Sequence, residues 1–86
     1  MKLSKAQLEC ELRSILREIL PQDYLVASMG LCDSLRSVGL DSLRTVELIS
    51  AIELKFGVSI EEDDLRDEYF SSLAGLTTMM SYKVRL

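Results

Sequence analysis

Leu8, Leu12, Ile15, Leu16 and Ile19 recur three or four residues apart, then the pattern ends at the chain's single proline, Pro21. That period places all five on one face of an α-helix, with Glu9, Glu11, Arg13 and Arg17 on the others. The spacing predicts a helix over residues 4–20, capped by Ser4 and stopped because proline disfavours helical geometry at Leu20. A second helix is predicted from Ser42 to Phe56, with Gly57 supplying the residue that ends it. Its inward quadrant holds Leu48, Ile49, Ile52 and Phe56. A last helix, entered through Ser71 or Ser72, carries Leu73, Leu76, Met79 and Met80 on one side. No segment alternates as a strand would. With 86 residues there is material for one core only, so residues 1–86 are read as a single all-α domain.

Two stretches lack a long helical period. Residues 21–40 form a long first loop, with room for a short helical turn, in which Tyr24, Leu25, Val26, Leu31, Leu35 and Val38 are candidate apolar anchors. After the extended link Val58–Ile60, the run EEDDLRDE starts a brief third helix from which Leu65, Tyr69 and Phe70 turn inward. The expected architecture is therefore a four-helix bundle of three main helices and one short one.

Residues 61–68 contain six acids and one arginine, whereas the rest of the chain carries eight acids and nine bases. The net charge of −4 is thus local, which argues against nucleic acid and suits a basic protein partner. The same run lacks the spaced oxygens and central glycine of an EF-hand loop, so no metal site is read into it. The chain has no histidine, which removes Ser-His and Cys-His catalysis and most catalytic zinc sites. Cys10 and Cys32 have no metal-ligand spacing and are read as free thiols. Charged residues interrupt the N-terminal segment and no apolar run approaches a membrane span. A cytoplasmic protein that engages no membrane and acts as a monomer is the expectation.

One near-repeat stands out. Asp33-Ser34-Leu35-Arg36 returns as Asp41-Ser42-Leu43-Arg44. Without a base of its own, a reacting serine has to be modified by another protein, so it must be exposed where added negative charge is tolerated. Ser42 opens an amphipathic helix, whose unpaired backbone N–H groups favour a phosphate, and Gly39 upstream permits a tight turn. Asp41 is placed either to cap that helix or to ligate a metal arriving with a phosphate donor. No such helix follows Ser34. These features favour Ser42, the alternative being that both serines are merely caps. The wet face of the same helix carries Leu43, Glu47, Ser50 and Leu54, either as ordinary exposed leucines or as a docking stripe.

Gly39-Leu40-Asp41-Ser42-Leu43, then Thr45-Val46-Glu47-Leu48 and Phe56-Gly57, resembles the phosphopantetheine attachment motif of acyl carrier proteins. Val58-Ser59-Ile60 and Phe70-Ser71-Ser72-Leu73 extend the resemblance over most of the chain. It implies a non-catalytic carrier with the acyl-carrier-like four-helix bundle. A phosphopantetheinyl transferase, using coenzyme A and Mg²⁺, would attach 4′-phosphopantetheine to Ser42. The arm's thiol would carry acyl groups as thioesters from a loading enzyme to synthase or tailoring enzymes. Asp41 would be the motif neighbour, and Leu43, Arg44, Val46, Glu47 and Leu54 the recognition patch. Fatty acid carriers in this family generally have a strongly acidic second helix; here Arg44 and Lys55 offset Glu47 and Glu53. That departure suggests a discrete carrier of a polyketide or nonribosomal peptide pathway. Leu40, where peptidyl carriers more often place a second glycine, leans the cargo towards acyl groups. An aminoacyl or peptidyl carrier, a fatty acid carrier and an unmodified helical interaction domain are the alternatives.

Overall fold

A computed structural model describes residues 3–21 and 23–84. Its elements are α1 (Lys5–Ile19), α2 (Asp23–Ser28), a 3₁₀ turn at Arg36–Val38, α3 (Ser42–Phe56), a second 3₁₀ turn at Glu62–Asp64, α4 (Asp67–Phe70) and α5 (Leu73–Ser81). Among the described residues there is no strand. The three long helices stand where their apolar period places them. At α1, Ser4 Oγ accepts from the Gln7 N–H at 3.1 Å while Gln7 Oε1 accepts from the Ser4 N–H at 2.8 Å, satisfying two otherwise orphaned donors. At the far end of α3, Gly57 takes a left-handed φ of 66° and its N–H bonds the Glu53 carbonyl. Ser72 caps α5 through the Gly75 N–H.

Helix α1 packs against α2, α3 and α5, and α4 packs on α5. The core is drawn unevenly from these elements. Leu8, Leu12, Ile15 and Leu16 are buried from α1, and Leu73, Leu76, Met79 and Met80 from the much shorter α5. Helix α3, as long as α1, buries only Leu48 and Ile52, with Ile49 and Phe56 half-buried. Most of α3 is thus uncommitted to the core.

The long first loop is better ordered than its sequence period suggests. It contains α2, six residues where the sequence left room for a short helical turn, too brief for periodicity to register. Arg13 donates to the carbonyls of Val26 and Met29 at 2.7 and 2.8 Å, binding the end of α2 to α1. Farther along, the Leu35 N–H bonds the Ser71 carbonyl and the Ala74 N–H bonds the Leu31 carbonyl, so the loop is stitched to the start of α5. Val26, Leu35 and Val38 are buried as expected, joined by Met29 and Leu40. Tyr24 and Leu31 correct the expectation, for both side chains are exposed. Leu31 anchors through its backbone carbonyl instead. Leu65 is a further correction. The acidic segment divides into a 3₁₀ turn and α4, Arg66 between them is extended, and that break leaves Leu65 exposed while Tyr69 and Phe70 are half-buried. A Cβ on Gly75 would collide with the Glu68 carbonyl oxygen, so only glycine lets α5 approach α4 this closely.

Candidate functional site

The approach to Ser42 is set by backbone geometry just before it. Gly39 ends the Arg36–Val38 turn with φ 106°, a left-handed conformation costly for any residue with a Cβ, and Pro21 lies 3.1 Å from where that Cβ would be. The Leu40 N–H then bonds the Leu35 carbonyl at 3.0 Å and the Leu40 side chain enters the core. Asp41 consequently emerges at the start of α3, where its Oδ1 accepts from the Arg44 N–H at 2.8 Å. Of the two roles sequence allowed Asp41, the structure displays the helix cap.

Ser42 is the first residue of α3 and is exposed. Its hydroxyl has no hydrogen-bond partner among the described residues. It opens onto a groove of about 910 Å³ between α3 and the acidic segment. Leu40, Val46, Ile49 and Phe70 give this groove an apolar lining, while Arg36, Arg66 and Asp67 contribute charge. The first near-repeat is built differently. Asp33 Oδ2 accepts from the Gly30 N–H at 2.7 Å, closing a loop rather than starting a helix, and Leu35 is fully buried where Leu43 is 69% exposed. Ser34 faces a smaller cavity of about 350 Å³ beside α2.

The remaining sequence-derived candidates lie along α3. Leu43, Val46, Glu47 and Leu54 are all exposed, and Leu54 is 88% so. With Ser50 they form one continuous stripe at helical spacing. Arg44 stands apart from them. It is half-buried, its Nε donates to the Ile19 carbonyl at 3.4 Å, and its Nη1 pairs with Asp41 Oδ2 at 3.3 Å. Two further charges of α3 are engaged as well. Lys55 pairs with Glu11 at 2.6 Å, which holds its ammonium above the ordinary lysine range, and Glu53 Oε2 accepts from the Ile60 N–H at 2.8 Å. Glu47 is the one charged side chain of α3 with no partner among the described residues. What sequence reasoning missed is the groove itself, since its far wall is assembled from Leu65, Arg66 and Asp67, distant in the chain.

A group delivered to Ser42 by an enzyme would meet an exposed, unengaged hydroxyl at a helix start. Neither Cys10 nor Cys32, both free and exposed, lines this groove. A family model described as "phosphopantetheine attachment site" matches residues 10–80. Comparison with curated proteins gives no match. Among solved structures, one similar fold is found in an engineered Bradyrhizobium japonicum glycine:[carrier protein] ligase complexed with a carrier protein from Agrobacterium tumefaciens and ATP. The TM-score is 0.76 at 23% identity, over 87% of this chain and 97% of that one. A second is the Bradyrhizobium japonicum glycine:[carrier protein] ligase complexed with glycylated carrier protein. There the TM-score is 0.67 at 28% identity, over 83% of this chain and 96% of that one.

Proposed function

The chain belongs to the phosphopantetheine attachment-site family, whose members hold 4′-phosphopantetheine covalently, and on that premise we propose that Ser42 is the residue that bears it. The observation that carries this reading is the contrast between the two near-repeats. Only Ser42 combines exposure, an unengaged hydroxyl, the start of a fifteen-residue helix and the mouth of a large groove.

The residues present fit the group. A phosphodiester on Ser42 would lie beside the first-turn N–H groups of α3, and Arg36, which has no partner among the described residues, lines the same groove. The lining of Leu40, Val46, Ile49 and Phe70 suits an amphiphilic arm. In the attachment step, the Ser42 Oγ would form a bond to the phosphorus next to the pantetheine of coenzyme A. The bond to adenosine 3′,5′-bisphosphate breaks, and the hydroxyl proton passes to the transferase. The base would come from that enzyme, for this chain has no histidine and the Asp41 carboxylate is engaged in capping α3 and pairing with Arg44. Once bound, the group supplies the thiol on which cargo is held as a thioester. The protein's own part is to present that tether and be recognised, which raises the local concentration of cargo at each partner.

For the cargo, an aminoacyl group delivered by a ligase is the reading the structure-level similarity supports, through the glycylated carrier at 28% identity. The leaning towards an acyl cargo drew on Leu40, but Leu40 is only 7% exposed, so core packing accounts for its identity. A polyketide-type acyl cargo is the second reading, favoured by the apolar groove next to Ser42. Incubation with coenzyme A, Mg²⁺ and a broad-specificity phosphopantetheinyl transferase, followed by peptide mapping, tests the attachment. One adduct on Ser42 is expected, and an adduct on Ser34 or none on folded protein overturns it. Incubating the modified protein with candidate amino acids, ATP and their ligases, against acyl-coenzyme A donors, then separates the two cargoes by mass.

A further inference from the structure

We propose that Arg36 anchors the phosphodiester formed on Ser42, so that the attached arm starts along the groove and stabilises the fold. The inference rests on the assignment of Ser42 above, and it gives the first copy of the near-repeat a role. Each copy ends in an arginine, Arg36 and Arg44, and the structure uses the two differently. Arg44 is spent within the protein, on Asp41 and the Ile19 carbonyl. The Arg36 side chain is exposed, has no partner among the described residues, and lines the groove that Ser42 opens onto.

The backbone on either side of Arg36 is fixed. Leu35 is fully buried, its N–H bonds the Ser71 carbonyl at 2.9 Å, and its own carbonyl accepts from Val38 and Leu40. The Arg36 carbonyl accepts from the Gly39 N–H at 3.1 Å, closing the turn that leads to Asp41 and Ser42. Arg36 is therefore held in place relative to Ser42 while its guanidinium stays available. The other charges of the groove are engaged or of the wrong sign. Arg66 Nε donates to the Asp63 carbonyl at 3.1 Å, and its Nη1 lies 3.5 Å from Glu68. Asp41 pairs with Arg44, and Asp67 would repel a phosphate. A phosphodiester has one negative charge and two unesterified oxygens, which a planar guanidinium meets with paired N–H donors. An exposed ion pair is weak between separate molecules, but a group tethered at Ser42 is always close by. Because only the folded chain sets Arg36 beside Ser42, holding the arm raises stability.

The test compares thermal midpoints before and after complete modification by a transferase with coenzyme A and Mg²⁺, in about 20 mM and about 1 M KCl. Wild type, Arg36→Gln, Arg36→Lys and Arg66→Gln are compared, each shown by mass to carry one adduct on Ser42. At low salt the rise on modification is expected to be about 2–4 °C larger in wild type than in Arg36→Gln. That difference closes at high salt. Arg36→Lys, which keeps the charge, is expected to retain roughly half of it or more, and Arg66→Gln to match wild type. The phosphorus NMR resonance of the phosphodiester should also move between wild type and Arg36→Gln, and stay in place in Arg66→Gln. Equal rises in wild type and Arg36→Gln overturn the proposal, as does an equal loss in Arg66→Gln and Arg36→Gln. Failure of wild type to acquire any Ser42 adduct is a separate result, and overturns the attachment reading beneath it.

Discussion

Leu35 and Leu43 occupy the same place in two copies of one tetrapeptide, yet one is fully buried and the other 69% exposed. Leu35→Ala should cost about 2–5 kcal/mol through the cavity it leaves, whereas Leu43→Ala should stay within about 0.5 kcal/mol, both read from urea denaturation. Gly39 is a further residue on which the site depends. Gly39→Ala should destabilise by about 1–3 kcal/mol, since its φ of 106° is strained for any other residue and Pro21 crowds the new Cβ. At this scale much was legible in sequence: Gly39 as a turn, Asp41 as a cap, Ser42 at the head of a helix. Arg44 was legible only as a charge on α3. Its bond to the Ile19 carbonyl joins residues 25 positions apart, and no local pattern signals that.

Among the elements, the contrast between α1 and α3 is the informative one. Their equal lengths and similar amphipathic patterns made both predictable, but α1 buries four residues and α3 only two. The sparsely buried α3 accounts for the exposed stripe that sequence left open between ordinary leucines and a docking surface. Leu43→Ala/Leu54→Ala should leave the thermal midpoint almost unchanged and slow modification at low and high salt alike, because apolar contact is not screened. Equal loss of stability and rate would contradict that division. Asp41→Ala should cost about 1 kcal/mol, as it removes the cap on the Arg44 N–H. The extent of α2, where the sequence left room only for a short helical turn, and the division of the acidic segment escaped prediction for one reason. Each piece is shorter than two turns, so periodicity cannot register it, and tertiary hydrogen bonds from Arg13 and α5 hold the loop instead.

For the molecule as a whole, the acidic segment and the link after α3 are tied to the chain just beyond α5. One latch is Lys83, which bonds Asp64 and the Ser59 carbonyl, both at under 3 Å. The hydrogen bond from Lys83 keeps the Asp64 carboxyl below the ordinary aspartate range, with the backbone N–H of Glu61 adding to it. A depressed carboxyl contributes stability that is fully present above the unfolded pKa of about 3.9 and is lost as pH falls through the lower folded value. Thermal melts of wild type and Asp64→Asn should therefore differ at pH 7 and converge in acid; a gap that is constant with pH would contradict the latch. The all-α class and the family resemblance were readable from helical periods and the residues around Ser42. The groove was not, because α3 and Asp67 meet only after folding. The central claim, that this bundle presents Ser42 and not its near-repeat for modification, is tested most directly by intact mass. Wild type, Ser34→Ala and Ser42→Ala are each incubated with coenzyme A, Mg²⁺ and transferase. A single phosphopantetheinyl increment on wild type and Ser34→Ala, with none on Ser42→Ala, is the predicted result, and an increment that survives in Ser42→Ala would contradict it.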